Sequence, residues 1–75
     1  MIEYNLEEKE MNFAENLKDL RKEKDIGQET LALELRVSVK TVSHWETGYT
    51  QPSIEQLINL ADYFEISIDE LVGRK

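Results

Sequence analysis

The stretch Gln28–Gly48, QETLALELRVSVKTVSHWETG, predicts two short helices joined by a tight turn. In the first helix, apolar side chains recur at helical spacing until Arg36. The second helix runs from Val39 to Thr47, because Ser38 is a favourable N-cap and Gly48 is a favourable stop. The residues expected to fill the angle between the two helices are Leu31, Ala32, Leu35, Val37, Val42 and Trp45.

One further helix is predicted before this pair and two are predicted after it. Apolar residues at helical spacing favour a helix over Asn12–Lys24. After the pair, Ser53 with Gln56 has the form of a capping box that begins a fourth helix, and Ser67 with Glu70 repeats that form for a short fifth helix. The side chains predicted to face inward from the fourth helix are Ile54, Leu57, Ile58, Ala61 and Phe64.

The chain length allows one small domain. Its 75 residues have a mass of 8.8 kDa, and we expect residues 12–73 to form an all-α, compact five-helix domain. Residues 1–11 are treated separately because Ile2, Tyr4 and Leu6 alternate as in a strand, next to a charged run. Two interpretations stay open for this segment, a loose tail or an ordered arm that supports a dimer.

Composition excludes several classes of site. The chain has no cysteine and one histidine, so neither a disulfide framework, a thiolate zinc site nor a multi-histidine metal site is expected. We expect no metal and no cofactor. No nucleophile lies beside a base and no glycine-rich phosphate loop is present, so we predict that the protein is not an enzyme. No apolar run approaches the length of a membrane span, and a cytoplasmic location is expected.

The net charge of −7 is unevenly distributed along the chain. Residues 1–10 hold four acids and one base, and residues 53–75 hold five acids and two bases. Residues 28–52, which include the helix pair, hold three acids and two bases, Arg36 and Lys40. The acidity therefore lies mainly in the flanks, so it does not exclude a nucleic-acid partner for the helix pair.

The helix pair has the form that places its second helix in the major groove of DNA. The segment Gln28–Gly48 resembles the helix-turn-helix of the lambda-repressor-like, Cro-type transcription regulators. Pro52–Leu71, PSIEQLINLADYFEISIDEL, resembles that family's fourth and fifth helices, and Phe13–Arg21 resembles its first. One departure is Arg36, because the family usually has glycine at this turn, where a left-handed backbone is favoured.

This resemblance implies double-stranded DNA as the partner and assigns roles to individual residues. Lys40 and His44 share one helical face and are the leading candidates for hydrogen bonds to base edges, and lysine favours guanine. Val39 is expected to pack on a thymine methyl group, and Ser43 to contact a base edge or a phosphate. The residues expected to contact the DNA backbone are Gln28, Arg36, Ser38, Thr41, Thr47 and Tyr49.

Two further sets of residues have expected structural roles. Arg21 and Glu46 match a pair that forms an ion pair between the first and third helices in several family members. The short fifth helix and the end of the fourth offer more apolar surface than a single short helix can hide. A homodimer is therefore expected to form through Ile66, Ile68, Leu71 and Val72.

Two functions remain possible at this point. The first is a sequence-specific DNA-binding regulator, expected to be a repressor that binds a pseudo-palindrome as a homodimer. The second is a protein-interaction module, such as an antitoxin or an adaptor, whose acidic flanks engage a basic protein partner. Because only Arg36 and Lys40 are cationic within residues 28–52, we predict a shallow dependence of DNA affinity on salt.

Overall fold

The computed structural model describes residues 12–73 and contains five helices over this range. They are α1 Phe13–Glu23, α2 Gln28–Leu35, α3 Val39–Thr47, α4 Ile54–Phe64 and α5 Ile68–Val72. The all-α, five-helix architecture predicted from the sequence is therefore confirmed. The predicted tail or arm at residues 1–11 lies outside the described residues.

Local side-chain caps determine where four of these helices begin. Asn12 caps α1, Ser38 caps α3, and the side chain of each accepts a hydrogen bond from a backbone N–H three residues later. Ser53 and Ser67 form complete capping boxes with Gln56 and Glu70, as predicted. Helix α2 differs, because Gly27 precedes it and no side chain within the described residues caps its N-terminus.

A left-handed residue follows each of the five described helices, and after α1 to α4 it lets the chain fold back onto the helix. At the end of α2, the Arg36 N–H donates to the Leu33 carbonyl at 3.2 Å and the Val37 N–H donates to the Ala32 carbonyl at 3.0 Å. This is a Schellman motif. After α1 to α4 the left-handed residues are Asp25, Arg36, Gly48 and Glu65, and the residues that follow them are Ile26, Val37, Tyr49 and Ile66. After α5 the left-handed residue is Gly73.

Arg36 adopts φ 60° and ψ 43°, which is the conformation expected from the family's usual glycine at this turn. We predict that Arg36→Gly raises the free energy of unfolding by about 0.5–1 kcal/mol, because relief of the left-handed strain outweighs the greater freedom of glycine in the unfolded chain. Urea denaturation measures the change. Glu34→Gly, an exposed change inside α2, is the matched control and should destabilise by about 1 kcal/mol. A fall in stability for Arg36→Gly would contradict the argument.

The core lies where all five helices meet. Helix α3 packs against α1 and α2, and α5 packs against α1 and α4. Trp45 is the largest fully buried side chain, so it fills the angle of the helix pair as expected. The other fully buried side chains are Leu17, Leu31, Val42, Leu60 and Leu71.

The predicted inward face of α4 is confirmed for Leu57, Ala61 and Phe64 and is wrong for Ile54 and Ile58. Leu60 is fully buried, although it was not among the expected inward residues, whereas Ile54 is 74% exposed and Ile58 is 44% exposed. The buried stripe follows Leu57, Leu60, Ala61 and Phe64, which are spaced at i, i+3, i+4 and i+7. The two isoleucines therefore lie beside the core face of α4 and present apolar surface.

Leu71 also requires a correction, because the structure places it in the core of this domain and not on its surface. Its side chain has no exposed area, and its carbonyl accepts a hydrogen bond from the Asn16 side chain at 3.4 Å. Leu71 thus holds α5 against α1 and has no surface to offer a second subunit. Ile66 and Val72 are partly buried and Ile68 is 39% exposed.

Candidate nucleic-acid interface

The outer face of α3 carries the four residues expected to contact bases. Val39 and Lys40 are exposed, and Ser43 and His44 are partly buried. The opposite face of α3 is buried through Val42, Trp45 and Glu46. Because one face of α3 is packed against α1 and α2, the orientation of its polar outer face is fixed.

The C-terminal end of α3 brings a second ring to this face. The aromatic rings of His44 and Tyr49 lie 4.7 Å apart between centroids, with an interplanar angle of 58°. The backbone N–H of Tyr49 also donates to the His44 carbonyl at 2.9 Å. His44 and Tyr49 therefore form a pair, although they were assigned to separate roles from the sequence.

A buried ionic network joins α1, α2 and α3 behind this face. Arg21 donates through Nε to Glu46 Oε2 at 2.7 Å and through Nη2 to Oε1 at 3.1 Å. The Gln28 amide donates to the same Oε1 at 3.0 Å. The third nitrogen of the guanidinium, Nη1, donates to the Ile26 carbonyl at 2.9 Å. The expected pair of Arg21 and Glu46 is thus present, and Gln28 is a third member that the sequence did not reveal.

The network keeps Glu46 ionised in the interior. Burial favours the neutral acid and acts to raise the pKa of Glu46, but the hydrogen bonds from Arg21 and Gln28 together with the charges of Arg21 and Lys18 outweigh burial, so this pKa is lowered. The hydrogen bond with Glu46 raises the pKa of Arg21. Glu46 therefore stays charged at neutral pH and fixes how α1 and α2 sit against α3.

Gln28 is the first residue of α2 and retains hydrogen-bonding capacity. One amide N–H bonds to Glu46, and the second N–H of a glutamine amide is available for another acceptor. The N-terminus of α2 has no side-chain cap within residues 12–73, so the first backbone N–H groups of the helix point outward. Gln28 is thus held in place by Glu46 beside several free backbone donors.

The serine and threonine hydroxyl groups expected to contact phosphates are already hydrogen-bonded. Ser38 and Thr41 join through their hydroxyls at 2.9 Å, so one proton is used between them and one remains free to donate outward. The Thr47 hydroxyl donates to the His44 carbonyl at 3.2 Å. A phosphate accepts but does not donate protons, so Ser38 and Thr41 together offer a single donor, and Thr47 must break its bond to offer one.

Arg36 and Lys40 are the two exposed cations on the helix pair, and both lie at the ends of its elements. Arg36 occupies the turn after α2 and Lys40 lies in the first turn of α3. Within the described residues, no group of histidine and acidic side chains is arranged to hold a metal ion. In the same part of the chain, every helix is too short or too polar to cross a membrane.

Comparison with known proteins agrees with this geometry. Residues 17–71 match the helix-turn-helix family HTH_3. The chain is 42% identical over 63 residues to the transcriptional activator BcrR of Enterococcus faecalis, which covers 84% of this chain and 31% of that protein. It is 39% identical over 64 residues to the cryptic phage CTXphi transcriptional repressor RstR of Vibrio cholerae, which covers 85% of this chain and 57% of that protein.

A solved structure gives the same result. The crystal structure of a transcriptional regulator from Listeria innocua superposes with a TM-score of 0.80 at 49% identity, over 84% of this chain and 59% of that one. The chain therefore spans between about a third and three fifths of the length of these proteins. All three are named as regulators of transcription, in agreement with the prediction of a non-enzymatic domain. The chain belongs to the HTH_3 helix-turn-helix family of DNA-binding transcriptional regulators.

Proposed function

We propose that this domain binds double-stranded DNA in a sequence-specific manner, with α3 in the major groove. The observation that carries the proposal is the fixed outer face of α3, where Val39, Lys40, Ser43 and His44 lie together. A lysine ammonium donates to guanine O6 and N7, a valine packs on a thymine methyl group, and serine and histidine have donors and acceptors for base edges. These side chains therefore supply both polar and apolar base contacts.

The proposed contacts to the DNA backbone surround this face. Gln28 and the uncapped N-terminus of α2 offer N–H donors, and the positive end of the helix dipole favours a phosphate. Arg36 and Tyr49 are exposed on either side of α3, where they extend the line of contacts. Ser38, Thr41 and Thr47 contribute fewer donors, because their hydroxyls are already paired. Such contacts set the orientation of α3 and carry no sequence information.

We further propose that the domain acts as a homodimer and as a repressor. Two copies related by a twofold axis would bind half-sites about 34 Å apart. The region shared with RstR, which is named a repressor, is over half of that protein, whereas most of the activator BcrR lies beyond the shared region. The proposal of repression follows the likeness to RstR, which extends over a larger share of that protein than the likeness to BcrR does of BcrR.

In vitro selection from a random duplex library with the purified protein tests this function. We expect enrichment of a pseudo-palindromic motif. The helix pair of each subunit has two cations, so the slope of log affinity against log salt concentration should be about −2 per subunit and about −4 for a dimer. A much steeper slope would show that the cations of α1 also reach phosphates.

The alternative function, a protein-interaction module, is favoured by the low number of cations on the candidate interface. Only Arg36 and Lys40 offset the three acids of residues 28–52, and the flanking residues are acidic. If a folded protein enriches no duplex at low salt, the DNA-binding proposal fails, and a basic protein partner becomes the better hypothesis.

The proposed dimer interface centres on Ile68, the exposed apolar residue at the start of α5. We predict that Ile68→Asp weakens dimerisation roughly thirtyfold, which corresponds to the loss of a central apolar contact of about 2 kcal/mol. Sedimentation velocity over a range of concentrations measures the shift. Leu33 on α2 is also apolar and is more exposed than Ile68, so Leu33→Asp is the matched control and should leave the dimer intact. Equal dissociation constants for Ile68→Asp and the parent protein would place the interface elsewhere.

A further inference from the structure

We propose that Tyr49 is a positioning residue for sequence readout, because its ring holds the His44 imidazole in the orientation that reaches a base edge. This inference rests on the proposed function, and it assigns Tyr49 a second role beyond a phosphate contact. It concerns the specificity of the site and not its general affinity.

The end of α3 brings both the backbone and the ring of Tyr49 onto His44. Gly48 adopts φ 81°, and this left-handed residue reverses the chain. The Tyr49 N–H then donates to the His44 carbonyl at 2.9 Å, and the two ring centroids lie 4.7 Å apart in a tilted arrangement. This backbone hydrogen bond fixes the position of the Tyr49 backbone, and from there the ring lies beside the imidazole.

Comparison with the other helix ends indicates that this contact does not serve the core. At the corresponding position after α1, α2 and α4, the chain has Ile26, Val37 and Ile66, and each is partly buried against the core. Such an apolar contact is the usual companion of a Schellman motif. At the end of α3 the residue is instead a tyrosine that is 75% exposed and that contacts a residue on the DNA-facing side of the helix.

The physical effect of this contact is preorganisation. A histidine side chain on the outer face of a helix samples several rotamers, and binding in one of them loses that freedom. A neighbouring aromatic ring that favours one rotamer removes part of this loss before DNA arrives. We therefore expect the Tyr49 ring to increase discrimination at the base pair read by His44 roughly three- to tenfold.

The test compares two substitutions of Tyr49 on the duplex enriched by selection. Tyr49→Phe keeps the ring and removes the hydroxyl, whereas Tyr49→Leu removes the ring. Affinities are measured for the enriched duplex and for its single-base-pair variants, and His44→Ala identifies the base pair read by His44. We expect Tyr49→Leu to reduce discrimination three- to tenfold at that base pair alone. Tyr49→Phe should preserve this discrimination. In the presence of His44→Ala, Tyr49→Leu should have no further effect at that base pair.

Two outcomes overturn the inference. If Tyr49→Leu weakens binding equally for every duplex, including a random one, the side chain contacts only the backbone of DNA. If Tyr49→Phe reduces discrimination at the base pair read by His44 as much as Tyr49→Leu does, the hydroxyl matters and the ring does not. If neither variant reduces it, Tyr49 has no part in readout.

NMR spectra of the free protein distinguish a failure of the positioning role of Tyr49 from a failure of the proposed DNA-binding function. The ring current of Tyr49 shifts the imidazole proton resonances of His44, and Tyr49→Leu should remove the shift while Tyr49→Phe retains it. If these shifts are seen and no duplex is enriched, the proposed DNA-binding function is wrong and the readout role falls with it. If a duplex is enriched but the shifts are missing, DNA binding stands and only the positioning role is overturned.

Discussion

Glu46→Ala is expected to lower the free energy of unfolding by about 3–5 kcal/mol, the usual cost of removing one partner of a buried ion pair. The substitution leaves the largely buried Arg21 side chain without its carboxylate and frees the Gln28 amide that bonds to the same oxygen. Small domains are stable by only about 5–15 kcal/mol, so much of the variant should unfold on mild heating. Urea denaturation followed by circular dichroism measures the loss.

Two control variants separate the ion pair from the loss of a side chain in general. Glu34→Ala removes an exposed carboxylate from α2 and should change stability by less than about 0.5 kcal/mol. Arg21→Met combined with Glu46→Leu replaces the pair with apolar groups of similar size and should recover most of the stability lost in Glu46→Ala. If Glu46→Ala costs under 1 kcal/mol, the network does not hold the three helices together.

The same network predicts how stability responds to acid. In the folded protein the pKa of Glu46 lies below the ordinary glutamate value of 4.5, so the unfolded chain binds this proton more tightly. The stabilisation is therefore complete above about pH 4.5 and is lost as pH falls through the lower folded pKa. Glu46→Gln removes this titration, so its stability should fall less between pH 5 and pH 3 than that of the parent protein. Parallel pH profiles would contradict the assignment.

Much of the architecture is predictable because its signals are local. The caps at Ser38, Ser53 and Ser67 each bond to a residue three positions later, and the structure contains all three. Arg36 adopts the left-handed conformation that its place in the motif implies. Such features depend on neighbouring residues only, so a single sequence is enough to identify them.

The predictions of burial that were wrong concern residues whose burial depends on contacts between distant segments of the chain. Helix α4 is apolar around more than half of its circumference, so periodicity alone could not choose between Leu60 and the pair Ile54 and Ile58. Packing against the rest of the core selects Leu60. Leu71 presented the same ambiguity, since an apolar residue on a short helix suits a core and an interface equally well.

The candidate site was predicted residue by residue but not as a set of contacts. A signal for the buried network existed, because Glu46 follows Val42 by four residues and therefore shares its inward face. A buried carboxylate requires partners, and Arg21 was one of them. The participation of Gln28 depends on the angle between α2 and α3, and the tilted ring contact of Tyr49 with His44 depends on the chain reversal at Gly48. Neither follows from spacing along the sequence.

Lys40→Ala is expected to have the largest effect on sequence recognition. If the Lys40 ammonium bonds to a guanine edge, its loss removes about 1–3 kcal/mol of discrimination at one base pair. In a dimer on a pseudo-palindrome the loss occurs in both half-sites, so the preference for the enriched duplex should fall by about 2–6 kcal/mol. Competition binding against variants of that base pair measures the change.

The matched control is Lys22→Ala, an exposed lysine in the last turn of α1, which should leave the base preference intact. If Lys40 only neutralises a phosphate, it contributes equally to the affinity for every DNA sequence, and this gives a different experimental result. Its removal would weaken all duplexes uniformly and reduce the salt slope by about one per subunit. In that case the preference at the tested base pair would persist in Lys40→Ala, and sequence readout would have to come from Val39, Ser43 and His44.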